Sequence, residues 1–211
     1  MTDLVIYGAG GLGREVETLV RAADPEARKW NFLGFLDDGK PLGAWGGAEI
    51  LGDAAWLTSR RDPAAVVLGL ASPSAKQKIF ESLRRYPHVS FPAIRHPTAL
   101  IAPDSVLGEG AVVAAFCVVA PGAEIGRGAF LNWHSSVGHD AVLGEFCSVM
   151  PGVNISGGVR VGARTLIGAG AKILQGLSIG ADATVGIGGV VVADIRDRTT
   201  VVGNPARVIK G

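Results

Sequence analysis

Residues 125–155 read IGRGAFLNWHSSVGHDAVLGEFCSVMPGVNI, with an aliphatic residue at every sixth position. The same spacing runs without interruption from Ile101 to Val191. A six-residue period fits neither a 3.6-residue helix nor an alternating strand, but it is typical of a parallel β-helix with three short strands per turn. We therefore predict a triangular coil in which these aliphatic side chains point inward and stack from turn to turn.

A second inward position is predicted four residues after each aliphatic residue, where most side chains are small, as at Ala123 and Ala129. Glycine often follows the aliphatic residue directly, as at Gly126 and Gly144, and we expect it to serve turns whose backbone conformation is costly for other residues. The pattern resembles the left-handed β-helix of the hexapeptide-repeat acyltransferases. The left hand is implied by that resemblance.

Composition narrows the possible partners and compartment. The chain has 211 residues, of which 48% are hydrophobic and 18% charged, which is enough to bury a sizeable core. The formal net charge is +1 and no dense Lys/Arg run occurs, which argues against nucleic-acid and anionic-membrane partners. No apolar run reaches the roughly 18 residues that span a bilayer, and no signal-peptide pattern opens the chain, so we expect a cytoplasmic protein.

The two cysteines fit the coil as packing residues. Cys117 and Cys147 both occupy the small inward position and are thirty residues, or five hexads, apart. Five hexads are not a whole number of three-strand turns, so the two side chains are predicted on different faces, without a disulfide bond.

The chain before the coil alternates strand and helix patterns. We predict strands at 4–7, 32–36, 65–70 and 89–94 and helices at 13–23 and 74–85. This order indicates a small Rossmann-like α/β unit with a parallel sheet. The predicted domains are therefore an α/β domain at 1–97, a β-helix at 98–195 and a tail at 196–211 that caps the open coil end.

A glycine-rich loop joins the first strand to the first helix. Residues 8–13 read GAGGLG, which satisfies the G-x-G-x-x-G pattern in its required context. Amides at such a helix start can hold a diphosphate. Asp37 and Asp38 end the second strand, where an acidic side chain usually meets a ribose or sugar hydroxyl. Three interpretations remain open: NAD, a tight turn without a ligand, and a nucleotide-linked sugar, which we favour because no second domain is built for hydride transfer.

Four histidines are candidates for acid-base or metal chemistry. His88 and His96 lie around the last predicted strand of the first domain, where surface or junction roles are the simpler interpretation. His139 lies outside the two inward positions and is followed by Asp140, so we expect its ring at the surface. Histidine beside a carboxylate is the minimal general base near neutral pH.

A zinc site is the competing interpretation of the histidines. His134 and His139 have the spacing of two of the three zinc ligands in hexapeptide-coil carbonic anhydrases, which carry a third histidine 36 residues before the first. That position is Thr98 here. The sequence therefore predicts no metal.

Several motifs together resemble the bacterial nucleotide-sugar acetyltransferases, which comprise the bacillosamine-pathway and perosamine-pathway N-acetyltransferases and sialic acid O-acetyltransferase relatives. The shared features cover essentially the whole chain: the glycine loop, Phe35-Leu36-Asp37-Asp38, His96-Pro97, the run NWHSSVGHD at 132–140, and Gly203-Asn204-Pro205. The resemblance implies acetyl transfer from acetyl-CoA to the amine of a UDP- or GDP-linked deoxysugar, within a homotrimer whose active sites lie between adjacent coils.

The resemblance also implies roles for individual residues. His139 is then the base, Asp140 raises its basicity, and the N–H of Gly157, one turn along, stabilises the oxyanion. The remaining implied contacts are to the nucleotide sugar at Gly10, Gly11, Leu12, Asp37, Asp38, Gly69 and Asn132, and to acetyl-CoA at Ser148, Ala169 and Ile187.

This chain departs from some members at two of these places. It has Ser148 where they carry histidine, and Leu70 after Gly69 where they carry asparagine. Two alternatives to N-acetylation stay open from sequence: sugar O-acetylation by the same base, and a non-catalytic trimer that binds a nucleotide sugar. The sequence does not specify the base, the sugar, the amine position or the acyl length.

Overall fold

A computed structural model describes residues 1–26 and 28–211. An N-terminal six-stranded sheet has the strand order β3-β4-β2-β1-β5-β6, and three sheets of the coil follow it. The strands of the first sheet are β1 (Thr2–Tyr7), β2 (Trp30–Leu36), β3 (Gly43–Trp45), β4 (Ala48–Gly52), β5 (Ala64–Leu68) and β6 (Val89–Ser90), and the helices are α1 (Gly11–Ala23), α2 (Ala54–Thr58) and α3 (Pro73–Leu83).

The predicted α/β elements are confirmed, with shifted bounds and two exceptions. Strands β1, β2, β4, β5 and β6 pair in parallel, whereas β3 pairs antiparallel with β4. The β3–β4 hairpin and α2 were not predicted. The single strand predicted at 89–94 is wrong, because β6 ends before Pro92 and a separate strand, β7 (Ile94–Arg95), joins the coil. Proline lacks the N–H that a continuous ladder requires.

Helices cover both faces of this sheet. Along β1, Leu4 and Ile6 belong to one buried cluster, while Val5 and Tyr7 belong to the other. Helix α1 buries the apolar stripe that contains Val16. Burying one such aliphatic side chain contributes roughly 1.5–3 kcal/mol. The alternation of β1 therefore matches a sheet that is covered on both sides.

The coil contains strands of mostly two residues, and up to the last turn each pairs in parallel with the strand 18 residues later. The first coil sheet contains β7, β10 (Val112–Val113), β13 (Phe130–Leu131), β16 (Ser148–Val149), β19 (Leu166–Ile167), β22 (Thr184–Val185), β24 (Thr200–Val202) and β25 (Arg207–Lys210). The second contains β8 (Leu100–Ile101), β11 (Val118–Val119), β14 (Ser136–Val137), β17 (Asn154–Ile155), β20 (Lys172–Ile173) and β23 (Val190–Val191). The third contains β9 (Val106–Leu107), β12 (Glu124–Ile125), β15 (Val142–Leu143), β18 (Arg160–Val161) and β21 (Ser178–Ile179).

Three corners join these sheets. The first corner, between the first and second sheets, includes residues 132–135. The second, between the second and third sheets, includes 138–141, and the third, before the chain returns to the first sheet, includes 144–147. Residues 18 apart stand in one column along a corner. These columns determine which side chains of successive turns can meet.

The inward aliphatic positions are confirmed. From Val113 to Val191 every one of them is at most 3% exposed, while Ile101 and Leu107 in the first turn are half-buried. The cysteines also follow the prediction: Cys117 precedes β11 of the second sheet, Cys147 precedes β16 of the first, and both thiols are buried and free.

The expected reason for the glycines after the aliphatic positions is wrong. These glycines have no left-handed φ angle; instead, a Cβ on Gly126 would lie 2.6 Å from the carbonyl oxygen of Leu143 in the next turn. Close stacking of successive coils therefore excludes a side chain there. The left-handed conformation occurs two positions later, at glycines such as Gly128 (φ 61°), and also at His134 (φ 58°) and Asp140 (φ 57°).

The α/β domain packs on the first coil sheet and the third corner. Val112 and Phe130 point away from the coil interior, yet each is 1% exposed and joins the buried cluster that contains Leu4. On α3, the ring of Phe80 lies 4.2 Å from that of Phe91 and 5.3 Å from that of Phe146.

The C-terminal tail continues the first coil sheet. Strand β24 pairs in parallel with β22, and β25 folds back antiparallel on β24. Val201 is 3% exposed, so β24 covers the end of the apolar column. Among the residues that the structure describes, no helix is long and apolar enough to cross a membrane.

Candidate active site

The His139 ring stands at the second corner and is 71% exposed, as predicted. Its Nδ1 lies 2.9 Å from Oδ2 of Asp140. Asp140 adopts a left-handed conformation, and its backbone N–H donates to the carbonyl of Pro121 at 3.0 Å. The turn thereby directs the carboxylate back toward the preceding residue. With Nδ1 donating to Asp140, the lone pair of the neutral imidazole is on Nε2, the nitrogen that can accept a proton.

Gly157 provides the surface against which this imidazole rests. A Cβ on Gly157 would lie 2.4 Å from Nε2 of His139, so only glycine leaves room for the ring. The carbonyl of Gly157 accepts from the N–H of Gly176 at 3.0 Å, which fixes the peptide in the next turn. Within the described residues, the Gly157 N–H donates no hydrogen bond. The second corner therefore combines a proton acceptor with an N–H donor that can stabilise negative charge.

The first corner carries a column of largely apolar side chains. Trp133, Pro151, Ala169 and Ile187 follow one another at intervals of 18, and Ile187 is 79% exposed. The predicted acetyl-CoA residues Ala169 and Ile187 thus share one column. Ser148 does not belong to it. It lies in β16 and is fully buried, next to Cys147, whose carbonyl accepts a hydrogen bond from a side chain of α3. The prediction that Ser148 lines an open groove is therefore wrong.

The glycine loop leaves the start of α1 without a side-chain cap. Gly10 is the N-cap residue, and no acidic residue occupies the first turn. Gly10 and Gly11 are exposed and have open space around them, whereas Leu12 is half-buried against the core. A Cβ on Gly13 would lie 1.9 Å from the carbonyl of Gly8, so this glycine permits close packing of helix and strand. The uncapped N–H groups can therefore donate hydrogen bonds to an anionic group.

Asp37 and Asp38 are brought beside this loop, at the ends of β1 and β2. Asp37 Oδ2 accepts from the N–H of Ala9 at 2.8 Å, and Asp38 Oδ1 accepts from the hydroxyl of Tyr7. Two cavities meet at the aspartates, one of about 260 Å³ toward α3 and one of about 600 Å³ toward α2. This is the carboxyl edge of the parallel strands, where nucleotide ligands bind in doubly wound folds.

A third cavity, of about 540 Å³, joins the two halves of the molecule. Gly11 and Arg14 of α1 and Gly46 of the β3–β4 hairpin line it on one side, and Trp133 of the first corner lines it on the other. The start of α1 therefore opens onto the same corner as the apolar column. Trp133 was not among the predicted site residues, because its place at this cavity depends on a contact between segments distant in sequence.

Two predicted substrate contacts lie inside the protein. Gly69 is buried, and a Cβ there would lie 2.8 Å from the Cα of Gly13, so it serves the packing behind the loop. Asn132 is 3% exposed, and its Oδ1 accepts from the N–H of Trp133 at 2.7 Å. Gly69 therefore lies behind the glycine loop and Asn132 behind Trp133, and both are buried.

The other histidines are engaged elsewhere. His134, at the first corner, stacks on Phe116 with ring centroids 5.0 Å apart, so it does not converge with His139 on one metal. His96 Nδ1 lies 2.8 Å from the Thr98 hydroxyl, and His88 Nε2 lies 3.0 Å from the carbonyl of Leu57. In residues 1–26 and 28–211, no group of three or more His, Cys, Asp or Glu side chains could hold a metal ion.

A buried lysine connects α3 to the coil and was missed from sequence. Lys76 is completely buried, and its Nζ donates to the carbonyls of Gly128 at 2.9 Å and Cys147 at 2.7 Å. Burial lowers the pKa of Lys76 to about 7. A neutral amine has two N–H donors, which match the two carbonyl acceptors. The only signal in the sequence was a lysine four residues before Phe80 on the apolar face of α3.

Comparison with known proteins gives two family models and several relatives of full length. The model "PglD N-terminal domain" matches residues 3–83, and "Bacterial transferase hexapeptide (six repeats)" matches residues 140–175. GDP-perosamine N-acetyltransferase of Escherichia coli O157:H7 is 31% identical, covering 97% of this chain and 95% of its own length.

Solved structures agree over the whole chain. PerB from Caulobacter crescentus, in complex with CoA and GDP-perosamine, is 32% identical, with a TM-score of 0.90 and coverage of 100% of this chain and 98% of that one. The acetyltransferase domain of PglB from Neisseria gonorrhoeae, in complex with acetyl coenzyme A, is 31% identical, with a TM-score of 0.89 and 98% of both chains covered. These matches confirm the predicted fold class, an α/β domain followed by a left-handed β-helix.

Proposed function

Because the chain belongs to the hexapeptide-repeat nucleotide-sugar acetyltransferases that include GDP-perosamine N-acetyltransferase, we propose that it transfers the acetyl group of acetyl-CoA to the amine of a UDP- or GDP-linked amino-deoxysugar. One observation carries the chemical proposal. The exposed imidazole of His139 is oriented by Asp140 through Nδ1, while its Nε2 lies beside Gly157.

The reaction needs a base and a donor to the developing oxyanion. The amine nitrogen attacks the thioester carbonyl carbon, and Nε2 of His139 accepts the proton that the amine loses. The carbonyl oxygen becomes an oxyanion, to which the N–H of Gly157 donates. The C–S bond then breaks, and the imidazolium returns the proton to the leaving thiolate. The products are the N-acetyl sugar and CoA, and the neutral imidazole is restored.

The remaining ligand contacts are assigned by position. The diphosphate is held at the open amides of Gly10 and Gly11, and the nucleoside occupies the cavities beside Asp38. The acetyl-CoA arm follows the column of Ala169 and Ile187, whose apolar surface suits the pantetheine chain. We place the reaction in the cytoplasm, without a metal.

The geometry favours a homotrimer. The glycine loop and the proposed acetyl-CoA column meet at the first corner, near Trp133, whereas His139 stands at the second corner, across the second coil sheet. A second copy that brings its second corner against the first corner completes the site. Threefold symmetry repeats this contact between a first corner and a second corner at each of the three subunit interfaces.

A thiol-release assay with acetyl-CoA and a panel of UDP- and GDP-linked amino-deoxysugars tests the function. We expect release with an amino sugar, and a loss of about 10²–10⁴-fold on His139→Ala, the usual contribution of a general base. His88→Ala is the matched control, because this histidine contacts the carbonyl of Leu57 within the α/β domain and lies at none of the three corners. Wild-type rates in His139→Ala would defeat the mechanism.

Other outcomes point to the alternatives. Release only with hydroxyl acceptors would assign sugar O-acetylation to the same base. Nucleotide-sugar binding without acetyl-CoA consumption would leave a non-catalytic trimer. A monomer in light scattering would remove the shared site.

A further inference from the structure

The two adjacent aspartates at the end of β2 have different surroundings. Both oxygens of Asp37 are occupied by the chain itself: Oδ2 accepts from the N–H of Ala9 at 2.8 Å, and Oδ1 accepts from the N–H of Gly39 at 2.9 Å. The carboxylate thus connects the glycine loop to the turn after β2. Two of the roughly four lone-pair sites of this carboxylate are therefore used within the chain, and both oxygens are held in place by backbone N–H groups.

Asp38 keeps one oxygen available. Its Oδ1 accepts from the Tyr7 hydroxyl, and no described residue donates to its Oδ2. The residue is exposed and lines both cavities at this edge, and the smaller cavity is also lined by Gly8 and Lys78. A carboxylate oxygen in such a position can accept from two neighbouring hydroxyl groups.

Tyr7 fixes the direction of that oxygen. It is the last residue of β1 and is 2% exposed, and its ring belongs to the cluster that contains Leu68 and Ile79. Burial, together with the hydrogen bond and negative charge of Asp38, raises the pKa of Tyr7 well above its usual value. The phenol therefore stays protonated and donates at any physiological pH. An immobile donor restricts the rotamers of the exposed carboxylate at no further ordering cost.

We propose that Asp38, and not Asp37, binds the ribose hydroxyls of the nucleoside diphosphate, and that Tyr7 is the positioning residue that orients its carboxylate. The inference rests on the proposed function and assigns the nucleoside end of the same site. Asp37 then serves the loop conformation. The assignment separates two neighbouring residues that the sequence pattern treats as equivalent.

Titration calorimetry with GDP and UDP, and with their 2′,3′-dideoxy forms, tests this division. For the ribonucleotide that binds, we expect Asp38→Ala to weaken affinity by about 10–100-fold, the range for a hydrogen bond to a charged group. Tyr7→Phe should weaken it by about 2–12-fold, the cost of ordering one side chain on binding. Because Tyr7 acts through Asp38, the double variant should bind like Asp38→Ala. The dideoxynucleotide should bind the wild type and Tyr7→Phe equally.

Tyr86→Phe is the matched control. It removes the chain's other tyrosine hydroxyl, from a ring that packs beside His88. In the transferase assay, Tyr7→Phe should raise KM for the nucleotide sugar and leave KM for acetyl-CoA unchanged. A general folding defect would not separate the two constants or spare the dideoxynucleotide.

Three results would overturn the inference alone, with acetyl transfer intact. The first is that Tyr7→Phe binds the ribonucleotide as tightly as Tyr86→Phe does. The second is that adding Tyr7→Phe to Asp38→Ala weakens affinity further. The third is that Tyr7→Phe weakens binding of the dideoxynucleotide as much as binding of the ribonucleotide. A wild-type protein that transfers acetyl groups but does not distinguish ribose from dideoxyribose also rejects it. If the wild type neither binds a nucleotide nor transfers acetyl groups, both the proposed function and this inference fail.

Discussion

Replacing Lys76 with methionine should change how the stability of the fold depends on pH. The Lys76 amine is enclosed between α3 and the third corner of the coil, and none of the ion pairs formed by the described residues includes it. Its two hydrogen-bond acceptors are neutral carbonyls. Burial therefore disfavours the charged form, and the pKa falls from 10.5 to about 7.

The size and sign of the effect follow from proton linkage. Between pH 7 and 10.5 the unfolded chain keeps a proton on this lysine that the folded chain has released. The free energy of unfolding should therefore rise with pH in this window, by about 1.4 kcal/mol per unit, and fall as the pH drops toward 7. From pH 7 to 8.5 the contribution of this lysine is about 2 kcal/mol. Below pH 7 both states are protonated and the contribution levels off.

Urea denaturation at fixed protein concentration and ionic strength, followed from pH 6 to 8.5, measures this contribution. The quantity to compare is the difference in unfolding free energy between wild type and Lys76→Met, in which other titrating groups cancel. Lys78→Met is the matched control, since this lysine is exposed on the same helix. The window ends at pH 8.5 to avoid the cysteines, whose ordinary pKa is 9.0.

The expected result is a difference that grows by about 2 kcal/mol for Lys76→Met and stays flat for Lys78→Met. If the Lys76→Met difference is constant across the window, the buried lysine has an ordinary pKa. That result would refute the interpretation that Lys76 is a neutral amine whose two N–H groups donate to the two carbonyls.

Three further predictions follow from the geometry. Gly157→Ala should displace the His139 ring, because its Cβ would lie 2.4 Å from Nε2. We expect a turnover loss of about 10²-fold or more with an unchanged urea midpoint, and a lowered midpoint would indicate a folding defect. Gly13→Ala should destabilise the protein by more than about 1.5 kcal/mol, because its Cβ would meet the Gly8 carbonyl. Gly10→Ala is the control, since a Cβ at Gly10 has open space. Equal urea midpoints for the two variants would contradict this packing. Burial raises the pKa of both cysteine thiols to about 11, so a thiol reagent at pH 8 should label neither in the native protein and both in urea; rapid native labelling would contradict their burial.

Much of the fold could be predicted from the sequence because its causes are local and repeated. The hexad fixes which side chain enters the coil at each strand, and all sixteen aliphatic positions from Ile101 to Val191 agree. The glycine loop and the His139–Asp140 pair are also short motifs whose members are neighbours in the chain. The sequence did not reveal the break at Pro92 or the short β3–β4 hairpin, whose strands carry little periodic signal.

The tertiary structure decided which of the marked residues remain accessible at the surface. Ser148, Gly69 and Asn132 are enclosed by segments remote in sequence, and the distinction between Asp37 and Asp38 arises from the Tyr7 hydroxyl, about thirty residues away. A repeat can predict that a side chain points out of its own coil. Whether that side chain meets water, another element or a ligand depends on how the domains pack. Desolvation and hydrogen bonding are set by the atoms within a few ångströms, and these atoms can belong to residues far away along the chain.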